Sequence, residues 1–408
     1  MQVFNSESSS KFDSCLCIKA VGDIAPGDFS INGLGVYSLT KRYGCDFVFQ
    51  KIVNALGNYD LLIGNLEDSL SHCCLTKDLR HCGLPDMAHA LHQIGFDVLS
   101  LANNHSFDHG SDILLETIYH CENAGIKLAG LRGKSEYYCQ PVIIKKHQMI
   151  VGILAYNWVG LEDAEKIGDY LAVVEDSVVN YTWYRDKARD FEKRKLIKEK
   201  NKNVINDIKK LRNEVDLLIL MPHWGYEWTI YPPYGVILEG RNFIEAGVDL
   251  IIGSHPHVPQ GIEKYNDGLI AYSMGNFLFD SVTDKFKYGM VLECKVNPGS
   301  IENFSLTFIK RGENFQPEPV TEEEAAENRH LIDKSSKAIS SIKAEQILDD
   351  DVIYKEYETQ YYNLKYQKIL YLLMNLPSKP YLIKSIFKKV LNFLYLILLR
   401  LQGKKTRW

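Results

Sequence analysis

VDLLILMPHWG, residues 215–225, is an apolar run that stops on a histidine, and DLIIGSHPH, residues 249–257, stops on two. Short apolar runs ended by Gly, Asn or His read as buried strands. Working outward, the same reading predicts strands over Cys15–Gly22, Asp60–Asn65, Asp97–Asn103, Met149–Tyr156, Val215–His223, Asp249–His255 and Leu269–Phe277. Helical patterns lie between several of them. Pro85–Ile94 places Met87, Leu91 and Ile94 at helical spacing after a proline suited to a first turn. Ser111–Ala124 carries Ile113, Leu114, Thr117, Ile118 and Cys121 ahead of the stop at Gly125. Alternating strands and helices predict an α/β core.

Polar residues fall at the strand ends. The first strand ends at Asp23, the second in Gly64-Asn65-Leu66-Glu67, the third in Asn103-Asn104-His105, and the two opening stretches in His223 and in His255-Pro256-His257. Ligands of open α/β sheets bind at that carboxyl edge. Singly, each residue reads as a turn former or a satisfied core histidine. As a set they offer the mixed oxygen and nitrogen donors that suit Mn, Fe or Zn rather than a thiolate site. Two divalent ions facing only Asp23 and Glu67 leave the site positive, which favours an anion, and a metal pair about 4 Å apart clamps a phosphoryl group. A glycosidase built on Glu67 and Asp68 is a poor reading, because neighbours on a strand point opposite ways.

Composition sets the frame. The chain has 408 residues, 46% apolar and 24% charged, as in globular proteins, and a net charge of −5, so no basic field recruits nucleic acid. Nine cysteines at irregular spacing, with no C-x-x-C pattern, are expected to be reduced thiols of a cytoplasmic protein. Met1–Ser14 is polar and Ser-rich and does not read as a signal peptide; it is expected to be disordered. The charge-dense stretch Val178–Asn213 reads as a solvated helix entering the strand that follows.

Five motifs in order, GDIAPGD (22–28), GNLEDSLS (64–71), SLANNHSFDHG (100–110), MPHWGYEW (221–228) and GSHPHVPQGIEKYNDGLIAYSMGNFLFD (253–280), resemble those of the capsule synthesis protein CapA family. The resemblance covers about Cys15 to Lys310. It implies a metallophosphoesterase-like αββα sandwich and a part in making poly-γ-glutamate or another capsular polymer. It further implies Asp23, Glu67, Asn104, His223, His255 and His257 as ligands of one or two divalent metals, and His105 as the acid that protonates a leaving oxygen. Asp108 would orient His105 or brace the loop, while Asn65, Asn103 and Asn276 would sit beside the site. The first motif lacks the Asp-x-His of ordinary metallophosphoesterases, and Glu67 stands where those have a bridging Asp; the CapA family shares both features. The expected activity is a metal-dependent phosphohydrolase working on a phosphorylated polymer precursor or polymer end. The rival reading is a non-catalytic adaptor that binds metal or phosphate and recruits a membrane synthase.

The expected organisation is a domain over residues 15–315, a helical extension over 316–375 that includes a Tyr-rich helix near Tyr354–Met374, and a basic tail over 376–408. The tail holds eight cations and no acid around the ten-residue apolar run Val390–Leu399, which is too short to span a bilayer. It reads either as a packed helix or as an interfacial one, attached peripherally to the anionic inner membrane face in place of the family's N-terminal anchor. For the interfacial reading, the intact protein should sediment with anionic liposomes, and truncation after Asn375 should release it. High salt should weaken the attachment only in part, because the apolar share is not screened. Full-length protein that ignores liposomes would exclude this reading.

Overall fold

The computed structural model describes residues 15–29, 33–72, 80–134, 136–159, 167–174, 201–281 and 286–341, with residues 359, 363 and 366. The expectations for Met1–Ser14, for the basic tail and for nearly all of the Tyr-rich helix fall outside the described residues. In chain order the elements are β1 (Leu16–Ile24), α1 (Val36–Tyr43), α2 (Val53–Leu56), β2 (Leu61–Leu66), β3 (Ser69–Leu70), β4 (Cys82–Gly83), α3 (Met87–Gln93), β5 (Val98–Ser100), α4 (Ser111–Ala124), β6 (Lys127–Ala129), β7 (Val142–Lys146) and β8 (Met149–Asn157). There follow α5 (Lys202–Leu211), β9 (Leu217–His223), α6 (Tyr234–Ala246), β10 (Leu250–Ile252), β11 (Ile262–Tyr265), β12 (Gly268–Ala271), β13 (Asn276–Leu278), β14 (Tyr288–Asn297), β15 (Ser300–Arg311), β16 (Pro317–Pro319) and α7 (Glu322–Ser340).

Two sheets face one another. The first runs β16-β15-β14-β1-β2-β5-β6 with β13 also paired to β1, and the second runs β11-β12-β10-β9-β8-β7. The first is parallel from β1 through β2 and β5 to β6 and antiparallel on its β14-β15-β16 side, and the second has parallel central strands with an antiparallel strand at each edge. One apolar core lies between the sheets and joins Ile18, Ile63 and Val98 of the first to Val151, Ile219 and Leu250 of the second. Burying side chains of this kind is worth about 1.5–3 kcal/mol each. A second core lies under α1, α3 and α4, and a third under α5 and α6. The result is the expected αββα sandwich. The strand β8 is almost wholly buried along its length, as expected of a strand covered on both faces.

Several details differ from the sequence expectation. Leu269–Phe277 is two strands, not one: β12 belongs to the second sheet and β13 to the first. The chain crosses the gap through Gly275, whose φ of +69° suits glycine. Of the stretch expected as a solvated helix, residues 178–200 lie outside the described residues, and the helix α5 near its end is not merely solvated. It buries Val204, Ile208 and Leu211, and its buried Asp207 accepts from the Cys139 N–H at 2.7 Å and the Tyr156 hydroxyl at 2.5 Å. The helix α7 is part of the sandwich: its capping box at Thr321 and Glu324 starts it, Ile332 enters the central core and Ile339 the outer one. Among the described residues no helix is long and apolar enough to cross a membrane.

The cysteine expectation needs correction. Cys15, Cys17, Cys45, Cys121, Cys139 and Cys294 are free thiols, but Cys82 is disulfide-bonded. Sequence spacing does not report which thiols a loop brings within bonding range.

One irregularity positions the site. Leu16, Ile18 and Ala20 face the central core, yet Val21 and Ile24 both belong to the helix-side core, so the alternation of β1 breaks between them. The register of β1 with β2 shifts at the same place, between Ala20 and Asp23. Bulges of this kind re-aim side chains next to active sites. Here the break is packed backbone to backbone: a Cβ on Gly22 would lie 1.7 Å from the Gly275 carbonyl oxygen, and the Asp23 N–H donates to that oxygen at 2.9 Å. No side chain can move aside, so Gly22→Ala should cost about 3 kcal/mol or more. Gly299→Ala, at φ +69° with open space around it, should cost only about 1–2 kcal/mol. Thermal melting of the two variants checks the difference; equal melting would contradict the close-approach account.

Candidate metal centre

Carboxyl ends of β1, β2, β9 and β10 meet at one end of the sandwich. Asp23 stands opposite Asn65 of β2 and Asn276 of β13 in the strand register. The Asn65 amide donates to Asp23 Oδ1 at 2.8 Å and to Glu67 Oε2 at 2.6 Å, which uses both of its hydrogens. Asp23 and Glu67 are fully buried. Glu67 Oε1 lies 3.6 Å from His223 Nε2 and 3.9 Å from His257 Nε2 and has no hydrogen-bond partner.

The histidines come from loops held tightly in place. His223 Nδ1 pairs with the Ser254 hydroxyl at 2.9 Å, and its Nε2 with Asn104 Oδ1 at 2.7 Å. His257 Nδ1 lies 3.0 Å from Asn276 Oδ1 and 3.2 Å from Asp23 Oδ2, which turns its Nε2 toward Glu67. His255 is fully buried, and neither ring nitrogen has a hydrogen-bond partner. Both residues of the His-x-His pair have positive φ, +93° and +56°. Such backbone is sparsely populated by residues other than glycine and persists where the surroundings over-determine it. The loop is fixed by Ser254 N–H to the Pro222 carbonyl at 3.0 Å, Trp228 N–H to the Pro256 carbonyl at 2.7 Å, and His255 N–H to Asp23 at 3.3 Å.

Two donor triads result, and Glu67 belongs to both. One ligand atom from each of Glu67, His255 and His257 lies within 4.8 Å of the others, and the same holds for Asp23, Glu67 and His223. Burial, reinforced by Asp23 and Asp68, holds the Glu67 carboxyl well above its usual range. Burial and the neighbouring histidines keep His223 and His255 well below theirs, which disfavours a positive charge on either ring. Burial would also lower His257, but its bond to Asp23 and that carboxylate's charge outweigh it and raise it. Orphaned buried polar atoms cost about 1–3 kcal/mol each when nothing satisfies them. Glu67 Oε1 and both His255 nitrogens therefore fit a divalent cation, as does the mixed N/O donor set.

Beside the triads, Asn104 bridges two histidines: its oxygen meets His223, and its nitrogen lies 3.0 Å from His105 Nε2. His105 Nδ1 is held by Asp108 Oδ2 at 2.8 Å. Burial alone would raise the Asp108 carboxyl, but the bond and charge of His105 bring it below its usual range. Asn103 is a loop brace: its oxygen accepts from the His105 and Ser106 N–H groups at 3.0 and 2.9 Å, and its amide donates to the Leu66 carbonyl at 2.7 Å. All eleven residues singled out in the sequence thus lie in one connected cluster.

The sequence reading passed over Ser254, which orients His223, and Glu227, whose charge acts on both Glu67 and His257. Both sit inside motifs already quoted. It also passed over His81, and it named Asp68 only to set aside a glycosidase pair. Asp68 turns away from Glu67, accepts the Gly27 N–H at 2.7 Å and holds His81 Nδ1 at 2.9 Å; burial pushes its carboxyl up to about 6. Nothing in the spacing marks His81, which follows no predicted strand.

The chain is 26% identical over 312 residues to the capsule biosynthesis protein CapA of Bacillus anthracis, covering 75% of this chain and 70% of that one. It is 24% identical over 305 residues to the PGA biosynthesis protein CapA of Bacillus subtilis, covering 73% and 72%. A solved phosphatase structure from Mycoplasma pneumoniae aligns with a TM-score of 0.39 at 13% identity, covering 72% of this chain and 94% of that one. The model of the bacterial capsule synthesis protein family PGA_cap matches residues 18–281, the span that holds every residue of the site, and the chain belongs to that family.

Proposed function

We propose that the protein is a metal-dependent phosphohydrolase acting on a phosphorylated intermediate of capsule or exopolymer assembly. The observation that carries this reading is Glu67, buried and shared by two donor triads. The names of the two Bacillus relatives, capsule and PGA biosynthesis, supply the polymer class. Asp23, Glu67, Asn104, His223, His255 and His257 would hold one or two ions of Mn, Fe or Zn. Bound there, such an ion supplies Lewis acidity toward a phosphoryl oxygen and lowers the pKa of water.

The rest is the work of the chain. Asn65 keeps the two carboxylates facing the same space, and Asn276 keeps His257 turned so that Nε2 points inward. Asp108 fixes the His105 ring by its Nδ1, and Nε2, beside the Asn104 amide nitrogen, is the atom assigned to proton transfer with the leaving oxygen. Asn104 links that ring to His223, so the proton donor and the ligand set keep a constant separation. A phosphorylated polymer precursor or polymer end is the substrate class, met at a membrane where a synthase works.

Metal analysis of the purified full chain, followed by a phosphomonoester and phosphodiester screen, tests this. Bound Mn, Fe or Zn with turnover that chelation abolishes is expected. Metal-free protein would contradict the reading, and bound metal without turnover, with co-purification of a membrane synthase, would favour an adaptor. His255→Ala should lower the metal content, since it removes ring nitrogens that have no hydrogen-bond partner among the described residues. His105→Ala should keep the metal and lower the rate by about 10²–10⁴-fold, the usual contribution of a general acid. Loss of metal in that variant would instead make His105 a ligand.

A further inference from the structure

The helix α7 lies beyond residue 281, where the family match ends, yet it reaches the loops of the metal site. Its point of contact is Gly261, on the chain that leaves the His-x-His loop. A Cβ there would fall 2.8 Å from the Ser336 nitrogen and 2.9 Å from the Ser335 carbonyl carbon, so the helix backbone lies directly against it. Ser335 is fully buried, and its hydroxyl has two partners. It accepts the Gly261 N–H at 3.2 Å and donates to the Ile230 carbonyl at 3.2 Å. Ser336, next on the helix, accepts the Ile262 N–H at 2.8 Å. One hydroxyl therefore joins the loop after β10, which carries His255 and His257, to the loop after β9, which follows His223.

These two loops are where the backbone needs holding. His255, His257 and Trp228 have φ of +93°, +56° and +63°. Bulky side chains avoid that region, and it persists only where the surroundings over-determine it. Part of the restraint comes from within the loops themselves: the Gln260 side-chain amide donates to the Thr229 carbonyl at 2.8 Å, and the Trp228 N–H to the Pro256 carbonyl at 2.7 Å. The Ser273 hydroxyl adds a bond to the Val258 carbonyl at 2.8 Å. Ser335 supplies a tie from outside the histidine motifs. A ligand loop that is already ordered binds its ion more tightly, because less ordering remains to be done on binding. Hydrogen bonds behind metal ligands are known to set affinity in this way.

We infer that Ser335 is a positioning residue of the metal centre, which holds the His255–His257 loop against the loop after His223 so that the ligand nitrogens are set before an ion binds. The inference rests on the metal-dependent reading above. The probe is zinc alone, since a site of nitrogen and oxygen donors that takes Mn or Fe binds Zn more tightly still. Metal-stripped full-length protein competes for zinc with a chromogenic chelator. Ser335→Ala removes both bonds of the hydroxyl and should bind zinc about 3–30-fold more weakly, the range of one or two neutral hydrogen bonds. Should it fail to fold, as judged by melting, Ser335→Cys carries the same expectation, because its thiol fills the space and is only a weak donor and acceptor. Ile332→Val is the control for stability alone: it thins the central core under the same helix and removes no hydrogen bond. It should lower the melting temperature and leave zinc affinity as in wild type. Zinc affinity of the Ser335 variant equal to wild type, or reduced no more than in Ile332→Val, would overturn the positioning role and leave the metal-dependent reading standing. Wild-type protein that binds no zinc would overturn both.

Discussion

One side-chain amide holds two buried carboxylates in the same space. Asn65 gives its two hydrogens to Asp23 and Glu67, neither of which reaches solvent. Taking one carboxylate out of water costs several kcal/mol, and two facing one another cost more, unless opposite charge or hydrogen bonds compensate. In this chain the hydrogen bonds stop short: Glu67 keeps one oxygen without a partner, and the His255 ring beside it has none at all. A folded protein that tolerates these orphans has built a place for positive charge. The rest of the sandwich serves that place. The bulge of β1 turns Asp23 inward, and the crossing at Gly275 lays Asn276 beside it. The left-handed loop after β10 brings in His255 and His257.

Much of this was legible in the sequence, for a reason that can be named. A buried strand shows itself as an apolar run, and the first polar residue after the run marks the sheet edge. That logic located Asp23, Glu67, His105, His223, His255 and His257 without any knowledge of how the strands are ordered. It also gave α4 its ends, because Gly125 caps the helix in a left-handed conformation, with its N–H bonded back to Cys121 and Glu122. The family resemblance added Asn104 and Asn276, which composition and spacing alone do not distinguish from turn formers.

What stayed hidden was whatever depends on long-range return of the chain. Neither Ser273 nor Asn276 within the run Leu269–Phe277 announces that it leaves one sheet for another; the break is made by the conformation of Gly275 and by its contact with Gly22, residues far apart in sequence. The disulfide of Cys82 depends on where a loop returns, not on cysteine spacing. His81 escaped for the same cause. It sits thirteen positions beyond Asp68, on a turn with no strand before it, and gains meaning only because β4 pairs with β3 and sets it over His105. Asp207 looked like one more charge in a solvated run, yet it anchors α5 by accepting three hydrogen bonds.

The central claim is that the two triads around Glu67 hold a divalent ion through nitrogen and oxygen atoms alone. X-ray absorption at the edge of the metal that co-purifies with the full chain reads this directly. With zinc bound, the account predicts a shell of nitrogen and oxygen at about 2.0–2.2 Å with the outer-shell pattern of imidazole rings, and no sulfur. A sulfur shell at about 2.3 Å, or a spectrum without imidazole scattering, would place the metal elsewhere and contradict it.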